Sequence, residues 1–380
     1  MNPKIENYSE EDNTLTFTLT GVDVSFANAI RRTLLSDIPT VVFKTMPYEE
    51  NKCNIIDNTS RLNNEILKQR LSCIPIHITD LEIPLKDYLL ELDVENNTDT
   101  IMYVTTEHFK IKNVTTDKYL EERDLRTIFP PYMPPTGKDE YFIEFTRLRP
   151  KISEDIPGEK LKLTCEFSIS TAKDDSMFNV VGTCAYGYTP DPEKMKEELI
   201  KRQQAWKDED KSKEEIDFES ENWKLLEGLR YVKPNSFDYI LQSVGVFDNH
   251  VLLEKSCAIL VNKLAKLDSE FHKDDIQIIT SVTTMDNSYD IILENEDYTI
   301  GNILNYILYT IFYRDTKQLS YCGFKKMHPH DSDSIIRIAF TSPNSNKTTI
   351  KTMFKYTLEE AIKVLNKIKE QIRDIESSKR

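Results

Sequence analysis

Two short segments, one near each end of this 380-residue chain, share a strand–helix design. In the first, the alternating stretch LTFTLT (15–20) precedes SFANAIRRTLL, and in the second, YDIILE (289–294) precedes TIGNILNYIL. Alternation with a period of two predicts a half-buried strand, and apolar residues spaced by three or four predict an amphipathic helix. We therefore expect two related strand–helix–strand units, paired within one chain.

The two helices align when Ser25 is placed opposite Thr299. Each has a hydroxyl residue as an expected N-cap, a small residue next to Asn in the first turn, and an apolar face beyond it. In the first helix Asp23 offers a cap oxygen as well as Ser25. The first helix should end at Ile38, because Pro39 disfavours the α conformation before it. A chance likeness of two amphipathic helices remains the alternative on pattern alone. The residues expected to pair the helices within the chain are Phe26, Ile30, Leu34, Ile300, Leu304 and Leu308.

The two copies differ at one pair of positions. The first copy has Arg31 and Arg32 where the second has Asn305 and Tyr306, although the whole chain carries a formal net charge of -15. Two units with one architecture and different surfaces suit an asymmetric scaffold that holds two different partners.

The last helix carries a heptad pattern, with apolar residues at alternating steps of four and three. This pattern predicts a helix packed lengthwise on another helix, in the same chain or in a second one. The residues of this seam are Phe354, Leu358, Ala361, Leu365, Ile368, Ile372 and Ile375.

The middle of the chain has a different character. Short β-rich runs between turn residues predict an inserted β-rich domain, and a charged stretch follows it, either helical or a linker, whose favoured interpretation is a solvated face. A further helix is expected to open at Ser60. The predicted fold class is α+β. Its parts are a first dimerisation segment (1–83), the β insertion (84–190), the charged stretch (191–222), a second dimerisation segment (223–272) and a small α/β unit with the long terminal helix (273–380).

Composition excludes several classes of function. The acidic balance argues against a large nucleic-acid face and in favour of protein partners. The chain lacks CxxC pairs, phosphate-binding glycine loops and clustered carboxylates for two-metal chemistry, so we expect no catalytic residues and no cofactor. His328, His330 and Asp331 leave a metal site open as a minor alternative. Without an apolar leader or a membrane-length apolar run, we expect a cytoplasmic protein with no membrane contact.

Several segments, taken in order, resemble the α-like subunits of multisubunit DNA-dependent RNA polymerases. Two segments resemble the dimerisation domain of that family: SFANAIRRTLLSDIPTVVF and LNNEILKQRLSCIPIHI. A third resembles its inserted domain: FTRLRPKISEDIPGEKLKLTCEFSISTAKDDSMFNVVGTCAYGY. Two later segments resemble the small partner of that subunit, the eleventh-subunit type: LENEDYTIGNILNYILYTIF and GFKKMHPHDSDSIIRI. The joining of both units in one chain is similar to the fused subunit of large cytoplasmic DNA viruses, which implies the host cytoplasm and the virion as locations.

The resemblance implies a non-catalytic assembly platform for the two largest, catalytic subunits, often with small zinc-binding subunits. It also implies that the arginine pair, here Arg31 and above all Arg32, contacts the second-largest subunit. By elimination, Asn305 and Tyr306 would face the largest subunit. A pair of solvated arginines remains the alternative. Relatives whose inserted domain binds zinc or an iron–sulfur centre use a cysteine cluster, whereas residues 84–185 contain only two cysteines, so we predict no metal. A free-standing scaffold that homodimerises through the terminal helix is the alternative function.

Overall fold

The computed structural model describes residues 1–134, 137, 139–153, 155–273, 275–282, 284–342 and 347–379. The strands are β1 (Lys4–Glu11), β2 (Thr14–Thr20), β3 (Thr40–Val42), β4 (Cys53–Asn58), β5 (Tyr88–Glu95), β6 (Met102–Thr105), β7 (Lys110–Asn113), β8 (Lys118–Tyr119), β9 (Glu144–Leu148), β10 (Lys160–Glu166), β11 (Ser168–Ser170), β12 (Val181–Pro190), β13 (Val232–Ser243), β14 (Ile278–Thr280), β15 (Ser288–Leu293), β16 (Leu319–Lys325) and β17 (Ser334–Phe340). The helices are α1 (Val24–Ser36), α2 (Asn64–Ser72), α3 (Glu122–Ile128), α4 (Pro192–Asp208), α5 (Lys213–Leu225), α6 (Asn249–Lys273), α7 (Tyr298–Leu308) and α8 (Lys347–Lys379). This mixture confirms the α+β class.

The chain divides into two compact units. One, which we call the duplicated unit, comprises Met1–Leu34, Thr183–Gln242 and Leu253–Arg380. The other, which we call the inserted unit, comprises Leu35–Gly182 and Ser243–Leu252.

The duplicated unit repeats one topology. Its two sheets have the orders β1-β2-β13-β12 and β14-β15-β17-β16. Along the chain, each half runs strand, strand, helix, strand, strand, helix, except that α4 and α5 lie between β12 and β13 in the first half. The inner strands pair antiparallel, β2 with β13 and β15 with β17. The inserted unit interrupts the first half after α1, whereas a π-helical turn at Tyr309–Asp315 leads from α7 towards β16. The internal repeat predicted from sequence is therefore present in the strand order.

The first strand–helix segment forms as its pattern predicts. On β2 the alternating residues Leu15, Phe17 and Leu19 are all buried, and Phe17 stacks on Tyr239 of β13 with ring centroids 4.7 Å apart. Helix α1 ends at Ser36, two residues before the predicted end. This agrees with the rule that a helix ends at or before the residue that precedes a proline.

The inserted unit contains a sheet of order β4-β10-β5-β7-β8. Its core includes Phe109, which packs edge-on against the rings of Phe129 and Phe145. The predicted opening of the second helix at Ser60 is wrong. Asn63 is the N-cap of α2, where its side chain accepts a hydrogen bond from the backbone N–H of residue 66 at 2.9 Å.

The charged stretch forms two helices. Its first helix, α4, begins after the N-cap Asp191 and has no buried residue along its described length. The second, α5, opens with a capping box made by Ser212 and Glu215 and buries Trp223 on one face. The solvated face is thus found on α4, while α5 contributes to a core.

Helix α8 packs along α6 in the antiparallel direction. Phe354 near its start stacks on Phe271 near the end of α6, with ring centroids 4.9 Å apart. Towards the other end, the Arg373 Nε donates to a carboxylate oxygen of Glu254 at 2.7 Å. The side-chain oxygen of Gln371 accepts a hydrogen bond from the backbone N–H of Ile5 at 2.9 Å, so α8 also binds β1.

Candidate protein–protein interface

The apolar residues predicted to pair the repeats lie in the core of the duplicated unit. Those of α1 and α7 are at most 1% exposed: Phe26, Ile30, Leu34, Ile300, Leu304 and Leu308. The seam of α8 is buried to the same extent at Phe354, Leu358, Ala361, Leu365, Ile368 and Ile372, and Ile375 is half-buried. The heptad pattern is thus satisfied by helices and strands of the same chain.

Arg32 binds the start of the second repeat. Its Nη2 donates to Asp297 Oδ2 at 2.6 Å, and its Nε donates to Thr299 Oγ1 at 2.8 Å. A planar guanidinium makes two such directed bonds where an ammonium would make a single point contact. The side chains of Arg32 and Asp297 are 38% and 36% exposed, so this ion pair lies where the two repeats meet the solvent. We call this arrangement the arginine clamp.

The carboxylate of the clamp also caps α7. Asp297 accepts the backbone N–H of Thr299 through Oδ1 at 2.8 Å while Oδ2 binds the guanidinium. In the first repeat, Asp23 accepts the backbone N–H of Ser25 in the same way at 2.8 Å. Of the two residues that offer cap oxygens to α1, Asp23 is thus the one that accepts the bond. The expected hydroxyl cap of α7 is wrong, because Asp297, two residues before Thr299, is the N-cap.

Arg31 has a different environment from its neighbour. Its Nε and Nη2 donate to the side-chain oxygen of Asn28 at 3.1 and 2.9 Å, one turn earlier on α1. Burial raises the pKa of the Cys184 thiol to about 12, and the charge of Arg31 opposes that rise. Arg31 thus lies beside β12, half-buried, and is oriented by its own helix.

Asn305 and Tyr306 line a cavity of about 300 Å³. The start of α1 contributes Asp23 and Ser25 to its wall, and Tyr186 of β12 closes one side. Asn305 is oriented by the Cys322 thiol, which donates to its side-chain oxygen at 3.3 Å. The structure therefore brings the distinctive residues of the second repeat to the N-terminus of the first helix.

Sequence reasoning missed two features of this region. The first is β1, whose half-buried Ile5 and Tyr8 are three residues apart because a bulge shifts the register between Glu6 and Ser9. That insertion removes the alternation by which a strand is recognised. The second is the pairing of Arg32 with residues more than 260 positions away, for which the local pattern holds no signal.

The described residues contain no group of three or more His, Cys, Asp or Glu side chains placed to hold a metal ion. The rings of His328 and His330 lie with centroids 5.1 Å apart, and the backbone N–H of His330 donates to Nδ1 of His328 at 3.2 Å. Among the helices in the described ranges, none has the length and apolarity needed to cross a membrane.

Comparison with known proteins matches two stretches of the chain to one kind of domain, and the first stretch includes the inserted unit. A model described as the RNA polymerase Rpb3/Rpb11 dimerisation domain matches residues 16–264. A second model with the same description matches residues 288–371. The two matches contain α1 and α7 respectively, so the repeat seen in the strand order also appears as two domains of this description.

Individual relatives agree with the domain matches. The chain is 30% identical over 203 residues to the DNA-directed RNA polymerases I and III subunit rpac1 of Dictyostelium discoideum, covering 50% of this chain and 53% of that protein. It is 27% identical over 203 residues to human RPAC1, which bears the same description, covering 50% and 55%. It is 31% identical over 193 residues to the RNA polymerase subunit Rpo3 of Pyrococcus horikoshii, covering 45% and 71%. The chain thus spans about half the length of the first two relatives.

Proposed function

Because the chain belongs to the RNA polymerase Rpb3/Rpb11 dimerisation-domain family, we propose that it is a non-catalytic subunit of a DNA-directed RNA polymerase. In this role it serves as the assembly platform for the two largest, catalytic subunits. The observation that carries the proposal is the pairing of two such domains inside one chain, each with the same strand order. A single chain with both members of a pair needs no second copy to complete the platform.

The asymmetry of the pair supports two different partners. We propose that Arg31 and Arg32 mark the surface for the second-largest subunit, and Asn305 and Tyr306 the surface for the largest. Small zinc-binding polymerase subunits would complete the assembly. With a formal net charge of -15, the chain would make little direct contact with nucleic acid. On the basis of the fused architecture, we propose a viral polymerase in the host cytoplasm as the setting.

The alternative of a free-standing homodimer loses its main support. It requires the seam of α8 as an exposed surface, yet Leu358 and Leu365 at the middle of the seam are fully buried in the same chain. An exposed heptad stripe would be needed to drive a coiled-coil dimer.

Affinity capture of the tagged full-length chain from its native source tests the proposal. Both largest polymerase subunits should be recovered in amounts close to that of the tagged chain. Recovery of neither would refute the assembly role, whatever else is bound.

A matched pair of variants tests the assignment of Arg32. Arg32→Gln removes both the arginine clamp and any contact with a partner, whereas Asp297→Asn weakens only the clamp. Asn caps a helix as well as Asp does, so the second variant preserves the start of α7. We expect Arg32→Gln to lower recovery of the second-largest subunit and Asp297→Asn to leave it near the wild-type level. Equal losses would show that Arg32 acts only inside the chain.

A further inference from the structure

We propose that the cavity beside Tyr306 receives an arginine side chain of the largest polymerase subunit, and that Asp23 and Ser25 bind its guanidinium. The identity of the partner rests on the proposed function. The nature of the side chain rests on the arginine clamp, which presents the same two acceptors to an arginine at the related position in the same unit.

The internal repeat supplies the template. The alignment that places Ser25 on Thr299 also places Asp23 on Asp297. Both aspartates use one carboxylate oxygen to cap their helix, at 2.8 Å in each case. At Asp297 the other oxygen and the neighbouring hydroxyl together accept the fork of Arg32. The first repeat therefore contains a carboxylate and a hydroxyl at the positions equivalent to those that bind a guanidinium in the second.

The residue that would complete a symmetric clamp is absent from the second repeat. At the position of Arg32 it has Tyr306, which lines the cavity together with Asp23 and Ser25. Ser25 is only 8% exposed, and its hydroxyl oxygen, itself buried, has no hydrogen-bond partner among the described residues. A guanidinium in the cavity therefore reaches this oxygen only when a lining side chain shifts. Asp23 has no ion pair within the described ranges of the chain. A buried hydroxyl left unpaired is unfavourable, so a donor that reaches it gains affinity.

The remaining walls suit a guanidinium. Tyr186, Tyr306 and Tyr309 contribute aromatic rings, over whose faces a planar cation is attracted. Tyr309 is oriented by stacking on Tyr313, with ring centroids 4.9 Å apart. A volume of about 300 Å³ is at the lower limit for ligand pockets, and it fits one long side chain better than a cofactor.

Arginine fits these walls better than lysine. The two acceptors of the clamp engage Nε and Nη2 of one guanidinium at the same time, and an ammonium has no second nitrogen to offer. The acidic net charge of the chain favours the approach of a basic partner.

The test co-expresses the full chain with the largest subunit for capture through a tag, and titrates the purified chain against that subunit to measure the Kd. Asp23→Asn keeps the helix cap and removes the charge, and we expect the Kd for the largest subunit to rise about tenfold or more. Tyr306→Arg supplies the chain's own arginine to Asp23, so it should block capture while raising the thermal unfolding midpoint. Tyr306→Phe keeps the ring and should bind within about twofold of wild type. Asp297→Asn, the matched change in the other repeat, should also leave this Kd unchanged.

The following outcomes decide the inference and distinguish its failure from failure of the proposed function. Loss of capture by Asp23→Asn and Tyr306→Arg alone supports the inference. Unchanged capture by both variants refutes it and leaves the platform role standing. Failure of the wild-type chain to capture the largest subunit overturns the inference, and recovery of neither large subunit from the native source overturns the platform role as well. A photo-crosslinking residue at position 306 should attach to a segment of the largest subunit that contains arginine, and attachment to a second copy of this chain would also refute the inference.

Discussion

Replacing Gly301 with alanine should destabilise α7, although the same change in an ordinary helix is stabilising. Gly301 lies in the first turns of that helix and faces the ring of Phe324 on β16. A Cβ atom built at Gly301 would lie 2.0, 2.3 and 2.5 Å from three carbons of that ring. Ordinary contacts begin at 3.4 Å, so the ring would have to move by 1.4 Å (3.4 minus 2.0).

Two opposing contributions set the size of the effect. Alanine in place of glycine favours the helix by about 1 kcal/mol. Overpacking a close contact costs about 1–3 kcal/mol, and the Phe324 ring is also held edge-on by Tyr298 at 5.3 Å. We therefore expect a net loss of about 1 kcal/mol. In a Phe324→Ala background the contact is absent, and Gly301→Ala should become stabilising by about 1 kcal/mol.

Hydrogen exchange of the α7 amides, read by mass spectrometry, measures the local stability of this helix. A local measurement is needed because the chain has more than one compact unit. A loss of 1 kcal/mol corresponds to exchange about fivefold faster in the peptide that covers the helix. The matched control is Ala27→Gly at the aligned position of α1, where Ala27 is fully buried. That change should weaken α1 by about 1 kcal/mol. Slower exchange of α7 in Gly301→Ala alone, or the same response with and without Phe324, would refute the packing argument.

Three further predictions concern stability. Asp290→Asn should cost about 3 kcal/mol at pH 7, because Arg337 binds the buried Asp290 carboxylate at 2.6 and 2.7 Å. Hydrogen bonding to Arg337 lowers the pKa of Asp290 below its unfolded value, so the pair stabilises the chain above about pH 4. Denaturant unfolding of both proteins should show the difference shrinking towards pH 3, and a pH-independent difference would contradict this origin. Leu365→Ala should cost about 3 kcal/mol and Ile375→Ala under about 1 kcal/mol in unfolding titrations, and equal costs would contradict the burial of the seam. Asn63→Ala should destabilise α2 by about 1 kcal/mol, seen as faster amide exchange in that helix, and unchanged exchange would contradict the cap.

The repeated strand–helix design could be predicted because its signal is local. The alternation on β2 and the helical spacing on α1 can each be recognised within a few residues. The apolar residues that these patterns place inward on β2 and α1 are buried. Where local signals compete, the prediction fails. Ser60 and Asn63 both offer cap oxygens, and the helix uses Asn63, while the Ser60 hydroxyl donates to the side chain of Asn58 at the end of β4 at 2.7 Å.

The partners of Arg32 could not be predicted from the sequence. The chain contains 64 acidic residues, and nothing near position 32 indicates which of them the guanidinium will reach. The selection is made by the packing of α1 beside α7, which brings Asp297 to 2.6 Å. The cavity beside Tyr306 is formed by the same packing, and it could not be predicted from the sequence either.

The difference between the two repeats is therefore more specific than a difference of surface charge. At one end of the paired helices, Arg32 and Asp297 complete the arginine clamp inside the chain. At the other end, Tyr306 leaves Asp23 and Ser25 in the wall of a cavity. A pair of related domains with identical ends would bind two copies of one partner, whereas ends that differ in shape and hydrogen bonding discriminate between two. On the assembly role that we propose, a difference at one position of the repeat, Arg32 in one copy and Tyr306 in the other, makes the two ends of the platform bind different subunits.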